Sequence, residues 1–270
     1  MVRQVDKISR NEDMIHIGFL GFILGMLLLA VPVYVLAACN VQLGRQTVAS
    51  VARMMAGVGV TALFAYYLSH VDKWWVNALF FVLLTAASTA FTLGGARLKK
   101  RRYWVPVASG LFASVLLVGA WFEVLVLGQH SLFDARTFIP VSALLMGQAV
   151  SCCSAALHTY YAGLDHHRRL YEYLLGNGAT HNQAVGFFMK RALQQTLLPS
   201  LKSMSELMAG AAPVMMWTLM LGGTGAVSAA LFEVLLWIAA LAASVLALVV
   251  TIVVGRRYAF DEYDRLKKMN

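Results

Sequence analysis

Charged residues are scarce in this chain: Asp, Glu, Lys and Arg make up 13% of its 270 residues, whereas 60% are hydrophobic. An ordinary soluble domain has about 25% charged residues, so no water-soluble fold of this length would bury so much apolar surface. The apolar residues come in runs of about 18 or more, separated by short charged clusters, which is typical of transmembrane helices. Strict period-two alternation is absent, which excludes a membrane β-barrel.

Cysteine is also scarce: the chain has three, at positions 39, 152 and 153, all within or at the ends of apolar runs. They predict neither a disulfide framework nor a zinc ribbon. Cys152 and His158 share an apolar run but lie six positions apart, so they point to different sides of a regular helix. Cys-x-x-Cys and His-x-x-x-His spacings do not occur, and the sequence therefore assigns no metal ligands.

Seven apolar runs are long enough to cross a bilayer as helices. The first five cover residues 14–39, 54–71, 74–96, 103–127 and 137–164; the sixth ends at a turn at 222–225, and the seventh covers about 226–255. A polar stretch at 165–191 separates the fifth run from the sixth and is itself predicted to form a helix and a turn. The sequence thus predicts an all-α transmembrane helix bundle of about seven spans, forming a single domain over residues 1–270.

The net charge of +9 is concentrated in clusters between the apolar runs, which points to orientation in a lipid membrane rather than to nucleic-acid binding. Fifteen Lys and Arg residues fall in the connections on one side, and five fall on the other. The positive-inside rule then places the N-terminus outside and the C-terminus in the cytoplasm. On this topology the polar stretch at 165–191 is cytoplasmic.

The sequence lacks a G-x-x-x-x-G-K-[ST] loop, which cradles nucleotide phosphates in many ATPases. The Gly-Gly-Thr-Gly run at 222–225 has no lysine and lies between apolar runs, so it predicts a tight turn. No nucleophile is paired with a base, and no metal ligands cluster. The chain is therefore predicted not to be an enzyme and to bind no cofactor, and any ATP and Mg²⁺ that drive it are bound by a separate subunit.

The polar stretch holds an acidic residue, Glu172, with a glycine, Gly178, six positions later. Such a segment forms an elbow in which two helices are joined at a glycine that lets the backbone reverse. The elbow is rigid enough to transmit a mechanical force. This pattern resembles the coupling loop of ABC permeases, which fits a groove in a cytoplasmic ATPase. The residues predicted to make that contact are Glu172, Leu175, Gly178, Ala179, Thr180 and Ala184. The alternative is a solvated amphipathic helix without a partner.

Three blocks of the chain, residues 139–148, 172–184 and 198–223, together resemble the membrane subunit of Fet-type ABC transporters, an iron-export permease family. The resemblance implies the membrane-spanning permease subunit of an ABC transporter in the bacterial inner membrane. It implies a homodimer of this chain that works with a cytoplasmic ABC ATPase subunit. It also implies export of a metal ion such as iron, or of a metal-linked solute.

The chain departs from that family in the sixth run. The family tends to have Pro-Gly-Met-Met-x-Gly-Gln, whereas this chain reads Pro-Val-Met-Met-Trp-Thr-Leu over residues 213–219. It also has Gln148 in place of an asparagine, and Lys202 and Glu206 in place of an asparagine and an apolar residue. These departures indicate a divergent branch and weaken the transfer of the family's cargo.

Candidates for a translocation path or gate lie in the fifth and sixth runs: Gln148, Lys202, Glu206, Pro213, Met215 and Met216. Lys202 and Glu206 stand four apart on one helix face near the cytoplasmic start of the sixth helix, which predicts either a gate or permeation-lining pair, or a local ion pair that stabilises the helix start. Pro213 favours a kink or hinge. The two methionines either offer thioether ligands to a soft metal or fill gaps between helices.

Glu123 and Glu233 are predicted near the outer ends of the fourth and seventh runs, where a carboxylate can still reach water; each is interpreted as an interfacial acid, and the alternative is a substrate ligand. An ATP-independent channel or secondary carrier is the alternative function. Such proteins usually depend on ionisable residues deep in the bundle, and this chain has few.

Overall fold

The computed structural model describes residues 44–71, 74–98, 100–128, 137–206 and 213–259, together with residues 20, 23, 27, 30 and 34. All regular elements in these ranges are helical, which confirms the predicted all-α fold. The helices are α1 (Gly44–Val71), α2 (Trp74–Gly95), α3 (Lys100–Trp121), α4 (Phe138–His166), α5 (Arg168–Gly176), α6 (His181–Ser205), α7 (Val214–Leu221) and α8 (Ala226–Ala259). A π-helical segment, Phe122–Val126, extends α3.

Five helical segments of the described chain are long and apolar enough to cross a membrane: Gln46–Phe64, Trp74–Gly95, Arg102–Val126, Phe138–His166 and Ala226–Tyr258. They correspond to the second, third, fourth, fifth and seventh predicted spans. Most of the first predicted span lies outside the described residues. The sixth is divided between the end of α6 and α7, with residues 207–212 outside the described ranges. The total of seven spans stays a prediction.

The described chain divides into two units, residues 1–67 and 68–270. Within the first unit, α1 exposes large apolar side chains such as Met54, Val58 and Leu63. Such a surface is stable in a hydrocarbon environment rather than in water. The prediction of one domain over residues 1–270 is not tested by this division.

The second unit is a bundle in which α2, α3, α4 and α8 pack around a common core. Small residues let the helix backbones approach closely, as is common in membrane bundles. A Cβ atom built on Gly110 of α3 would lie 2.0 Å from Thr251 Oγ1 and 2.8 Å from the backbone oxygen of Ala247, both on α8. The α3–α8 contact therefore requires glycine at position 110.

Hydroxyl groups buried along α2 are satisfied within the helix itself. Thr85, Thr89 and Thr92 each donate a hydrogen bond to the backbone oxygen four residues earlier, at 2.9, 2.7 and 2.9 Å. An unsatisfied polar group costs several kcal/mol in hydrocarbon, so these bonds allow the polar face of α2 to be buried. The buried threonine side chains of α2 therefore serve to pack this helix against the rest of the bundle.

One end of the bundle gathers the start of α3, the end of α4 and the end of α8. The Arg102 Nε atom donates a hydrogen bond to the Tyr258 backbone oxygen at 2.8 Å, and the Tyr103 and Tyr161 rings lie 4.9 Å apart between centroids. Basic residues that follow the third and seventh predicted spans thus lie at the same end of the bundle. The count of Lys and Arg in the connections assigned these residues to one side of the membrane. The side of the membrane that this end faces stays a prediction.

Candidate coupling elbow and internal cavity

The polar stretch forms a helix–turn–helix element, which we call the coupling elbow (residues 168–184): α5, a turn, and the first turn of α6. Gly178 has a φ of +84°, a conformation that L side chains rarely adopt. The turn is closed by hydrogen bonds from the Gly178 N–H to the Leu175 oxygen and from the Ala179 N–H to the Leu174 oxygen, at 3.1 and 3.0 Å. The predicted glycine reversal is therefore present in the structure.

The second arm of the elbow begins at a capping box. The Thr180 N–H donates to Gln183 Oε1 at 2.9 Å, and the Gln183 N–H donates to Thr180 Oγ1 at 3.4 Å. This reciprocal pair satisfies N–H groups that the first turn of a helix leaves without helical partners. Thr180, predicted to contact an ATPase, is exposed but has this structural role in fixing where α6 begins.

The residues predicted to contact an ATPase differ in exposure. Glu172 and Gly178 are exposed, and Leu175 and Ala179 are half-buried. Ala184 is 1% exposed and belongs to the bundle core, so its assignment to the partner surface is wrong. It lies on the inner face of α6, whereas a partner would meet the outer face. Glu172 pairs with Arg168 across one helical turn, at 3.1 Å.

Three attachments tie the elbow to the bundle. Tyr171 is 3% exposed, and its hydroxyl lies 2.8 Å from Nδ1 of His181, which links the two arms. Phe188 on α6 is buried next to Gly163 of α4. Arg256 on α8 donates to Asn182 Oδ1 at 3.0 Å. Tyr171 in the first arm and Phe188 in the helix that continues the second arm are both buried, so the elbow is packed against the bundle.

We expect Arg256→Lys to loosen the elbow. The guanidinium group also reaches the Met189 sulfur at 3.8 Å, and an ammonium group does not reproduce this two-partner geometry. Losing one such hydrogen bond costs about 1 kcal/mol, or roughly a fivefold increase in local opening. Trypsin should then cleave faster after Arg168 and Arg169. Arg257→Lys, at an exposed neighbour, should leave that cleavage rate unchanged, and equal rates in the two variants would contradict the role of Arg256.

A cavity of about 320 Å³ lies among α4, α7 and α8. Two of the predicted path residues, Gln148 and Met215, line it. Pro213 caps the N-terminus of α7. The Met216 side chain is not part of the wall, but its backbone N–H donates a hydrogen bond to Glu233 Oε2 at 2.6 Å. The structure therefore brings part of the predicted path together around a carboxylate that the sequence analysis placed elsewhere.

Both carboxylates that were predicted to reach water at the membrane surface are buried. Glu233 is 5% exposed and lines the cavity, and Glu123 is 0% exposed in the π-helical segment. The prediction was wrong because α8 turns Glu233 toward α4 and α7. A signal was present in the sequence, since an acidic residue within an apolar span faces the bundle or a wet cavity in most membrane proteins.

Lys202 and Glu206 form the expected pair, with Lys202 Nζ 3.8 Å from Glu206 Oε1, but they lie at the end of α6 and not at a helix start as predicted. Their side chains are 75% and 50% exposed. Neither residue lines the cavity that holds Gln148. The described geometry thus favours a local ion pair at the helix end over a gate, and such exposed pairs contribute little to stability.

The end of α6 reaches a second, smaller cavity of about 10 Å³. Ser200 and Met204 from α6 line it, and Gln148 and Trp237 line both cavities. A helix of 25 residues is about 37 Å long, so α6 runs from the coupling elbow at one end to the cavity walls at the other. The helix thus connects an exposed surface with the walls of these cavities, and Pro199 lies within it just before Ser200.

No group of three or more His, Cys, Asp or Glu side chains that could hold a metal ion occurs in the described ranges. Cys152 and Cys153 are buried free thiols in the interior of α4. The cavity among α4, α7 and α8 offers a solute one carboxylate, one amide and otherwise mostly apolar walls.

Comparison with known proteins gives one family. The profile described as Uncharacterised protein family (UPF0014) matches residues 19–260. The UPF0014 membrane protein slr1647 of Synechocystis sp. is 23% identical over 197 residues, 72% of this chain and 75% of the relative. The UPF0014 membrane protein YjkA of Bacillus subtilis is 23% identical over 194 residues, 72% of this chain and 76% of the relative. No solved structure matches.

Proposed function

The chain belongs to the UPF0014 family of membrane proteins, and we propose that it is the membrane-spanning subunit of an ABC-type transporter. The observation that carries the proposal is α6, which begins at an exposed elbow and ends beside a small cavity of about 10 Å³, whose lining residues Gln148 and Trp237 also line the larger cavity. An ATPase that pulls on the elbow would move Ser200 and Met204 relative to Gln148 and Trp237. Such a movement changes the walls of the cavity, which is what alternating access requires.

ATP and Mg²⁺ belong to a separate cytoplasmic ABC ATPase subunit in this proposal, since the sequence has no phosphate-binding loop. The transporter would be a homodimer of this chain in a bacterial inner membrane, with the N-terminus outside and the coupling elbow in the cytoplasm. The gathering of basic residues at the elbow end of the bundle supports that orientation.

Co-purification tests the proposal. The tagged full-length chain is purified from its native host in mild detergent, and bound proteins are identified by mass spectrometry. We expect an ABC ATPase subunit in near-stoichiometric amount and ATP hydrolysis by the complex. A chain that purifies alone, and that still moves solute in vesicles without ATP, would contradict the proposal.

The cargo implied by the Fet-type resemblance is a metal ion such as iron, or a metal-linked solute, moved outward. The test is the metal content of cells with and without the chain. Cells lacking it should accumulate iron under iron excess. Unchanged content of every metal would remove metal export from the proposal while leaving the coupling to an ATPase untouched.

A secondary carrier that does not use ATP is the second candidate, and one observation favours it. Glu123 and Glu233 are buried acidic residues within spans, and carriers use such residues to exchange protons or cations. Solute uptake into vesicles of purified protein, driven by a pH gradient in the absence of nucleotide, would establish the carrier and exclude the ABC subunit.

A further inference from the structure

The cavity among α4, α7 and α8 has the size and lining of a small-molecule site. Its volume of about 320 Å³ lies at the lower end of the range for ligand pockets, which is roughly 300–1,000 Å³. Leu144, Val214 and Leu236 give it apolar walls, and Gln148 adds one amide group. A ligand that fits has a few carbon atoms and a small number of polar contacts.

The cavity wall includes one acidic side chain. Glu233 lines it, and among the lining residues that the structure describes there is no Lys, Arg or His to neutralise the carboxylate. The Met216 N–H in the first turn of α7 donates to one carboxylate oxygen, and the positive end of a helix favours a negative charge there. An ionised carboxylate that is buried is costly unless it is paired with a positive charge. The ligand that best fits beside Glu233 is therefore a cation.

The aromatic residue Trp237 follows Glu233 by four positions on α8 and lines the same cavity. Residues four apart lie on one helix face, so the carboxylate and the indole ring face a common ligand. An indole ring attracts an organic cation through its negative face, and it does so most strongly where water is excluded. Carboxylate and indole together match an ammonium group that carries alkyl substituents.

The same wall does not match a bare metal ion. The described lining residues offer one carboxylate, one amide, one thioether and one hydroxyl, from Glu233, Gln148, Met215 and Thr218, and no His or Cys. First-row metals are usually held by several carboxylate, imidazole or thiolate groups, so a set with a single anionic group is a poor match for them.

We propose that this cavity is a binding site for a small alkylated ammonium ion, held by the Glu233 carboxylate and the Trp237 ring. The proposal rests on the transport function and gives the cargo of that function a chemical class. The metal ion implied by the resemblance is the competing cargo, and the Mn²⁺ titration described below distinguishes the two. Gln148 also lines the smaller cavity next to α6, so a movement of α6 would alter the contact between Gln148 and the bound ion.

Isothermal titration of the purified full-length protein in detergent tests the site, with choline as the cationic probe. The control ligand is 3,3-dimethylbutan-1-ol, which has the shape of choline without the charge. We expect choline to bind and the neutral analogue to bind at least about tenfold more weakly. Mn²⁺ is titrated separately as the metal probe.

Glu233→Gln removes the charge and keeps an oxygen that accepts the Met216 N–H, so the fold should survive. It should weaken choline binding at least about tenfold and leave binding of the neutral analogue unchanged. Trp237→Leu should weaken choline binding several-fold and is the second variant if Glu233→Gln does not fold. Asp165→Asn, at an exposed position, should leave choline binding unchanged.

Equal choline binding by the wild-type chain and Glu233→Gln would overturn the proposal, as would absence of choline binding together with Mn²⁺ binding that requires Glu233. The assay contains no ATPase and no ATP, so its result is independent of the co-purification experiment. Choline binding without a co-purified ATPase would support the cation site and contradict the proposed ABC function. A co-purified ATPase without choline binding would support the ABC function and contradict the cation site.

Discussion

Replacing Gly110 with alanine is expected to lower the free energy of unfolding by about 3 kcal/mol, within the range for overpacked positions. The added Cβ would lie 2.0 Å from Thr251 Oγ1, a side-chain atom that can rotate away. It would also lie 2.8 Å from the Ala247 oxygen, which is backbone and cannot move without α8. The whole α3–α8 contact must therefore open, and this is the most extensive helix contact in the bundle.

Thiol reactivity measures this loss. In a Cys39→Ser background, the buried thiols of Cys152 and Cys153 react with a maleimide dye only when the bundle opens. The temperature of half-maximal reaction should fall sharply in Gly110→Ala. Gly119→Ala is the matched control on the same helix, because its Cβ would meet other atoms at no less than 3.9 Å.

A double variant separates the two contacts at Gly110. Thr251→Ala removes the hydroxyl from the 2.0 Å contact and leaves the Ala247 oxygen in place. Gly110→Ala with Thr251→Ala should therefore recover part of the lost stability and not all of it. Full stability of Gly110→Ala alone would show that α3 and α8 do not pack as closely as described.

The second large effect is expected at the coupling elbow. Gly178→Val places a β-branched side chain at a φ of +84°, which costs of order 1–3 kcal/mol and displaces the turn between α5 and α6. Combined with Glu172→Ala, which removes the exposed carboxylate and its pairing with Arg168, it should reduce the amount of ATPase recovered with the chain at least about tenfold. Quantitative mass spectrometry of the purified complex measures that ratio.

The matched control for the elbow is Gly176→Ala. Gly176 ends α5, and a Cβ there meets nothing within 4 Å, so alanine should leave ATPase recovery unchanged. The strain in Gly178→Val falls on a turn outside the buried core, so the thiol assay, which reports opening of the bundle, should shift less in the elbow variants than in Gly110→Ala. A Glu172→Ala, Gly178→Val chain that still binds the ATPase and transports would remove the elbow from the proposed mechanism.

Local features of the elbow could be read from the sequence because they depend on neighbours along the chain. Gly178 was predicted as the point where the backbone reverses, and the structure gives it a positive φ. The pairing of Lys202 with Glu206 followed from a spacing of four. The role of Thr180 as a helix cap was encoded by Gln183 three positions later, although the sequence analysis assigned Thr180 to a partner surface.

The faces of the long apolar helices could not be predicted in the same way. In α8, nearly every position is apolar, so no 3.6-residue pattern distinguishes the side that meets lipid from the side that meets α4 and α7. Glu233 was therefore assigned to water, and it is buried against the cavity instead. Ala184 was assigned to the partner surface from the coupling-loop resemblance, and a sequence pattern does not reveal which side of α6 a small apolar residue faces; the residue is 1% exposed.

The sequence by itself determined that this protein resides in a membrane, that it is helical and where its polar elbow lies. These properties depend on hydropathy, run length and turn residues, which act locally along the chain. Tertiary structure alone decided that α6 joins the elbow to a cavity and that Glu233 and Trp237 face the same space. The hydrophobic effect inserts an apolar helix into lipid, but it does not decide which face of the helix packs against neighbouring helices, because lipid tails are as apolar as those helices. The contacts between helices choose the inward face, and these depend on shape and on buried polar groups brought together from distant parts of the chain.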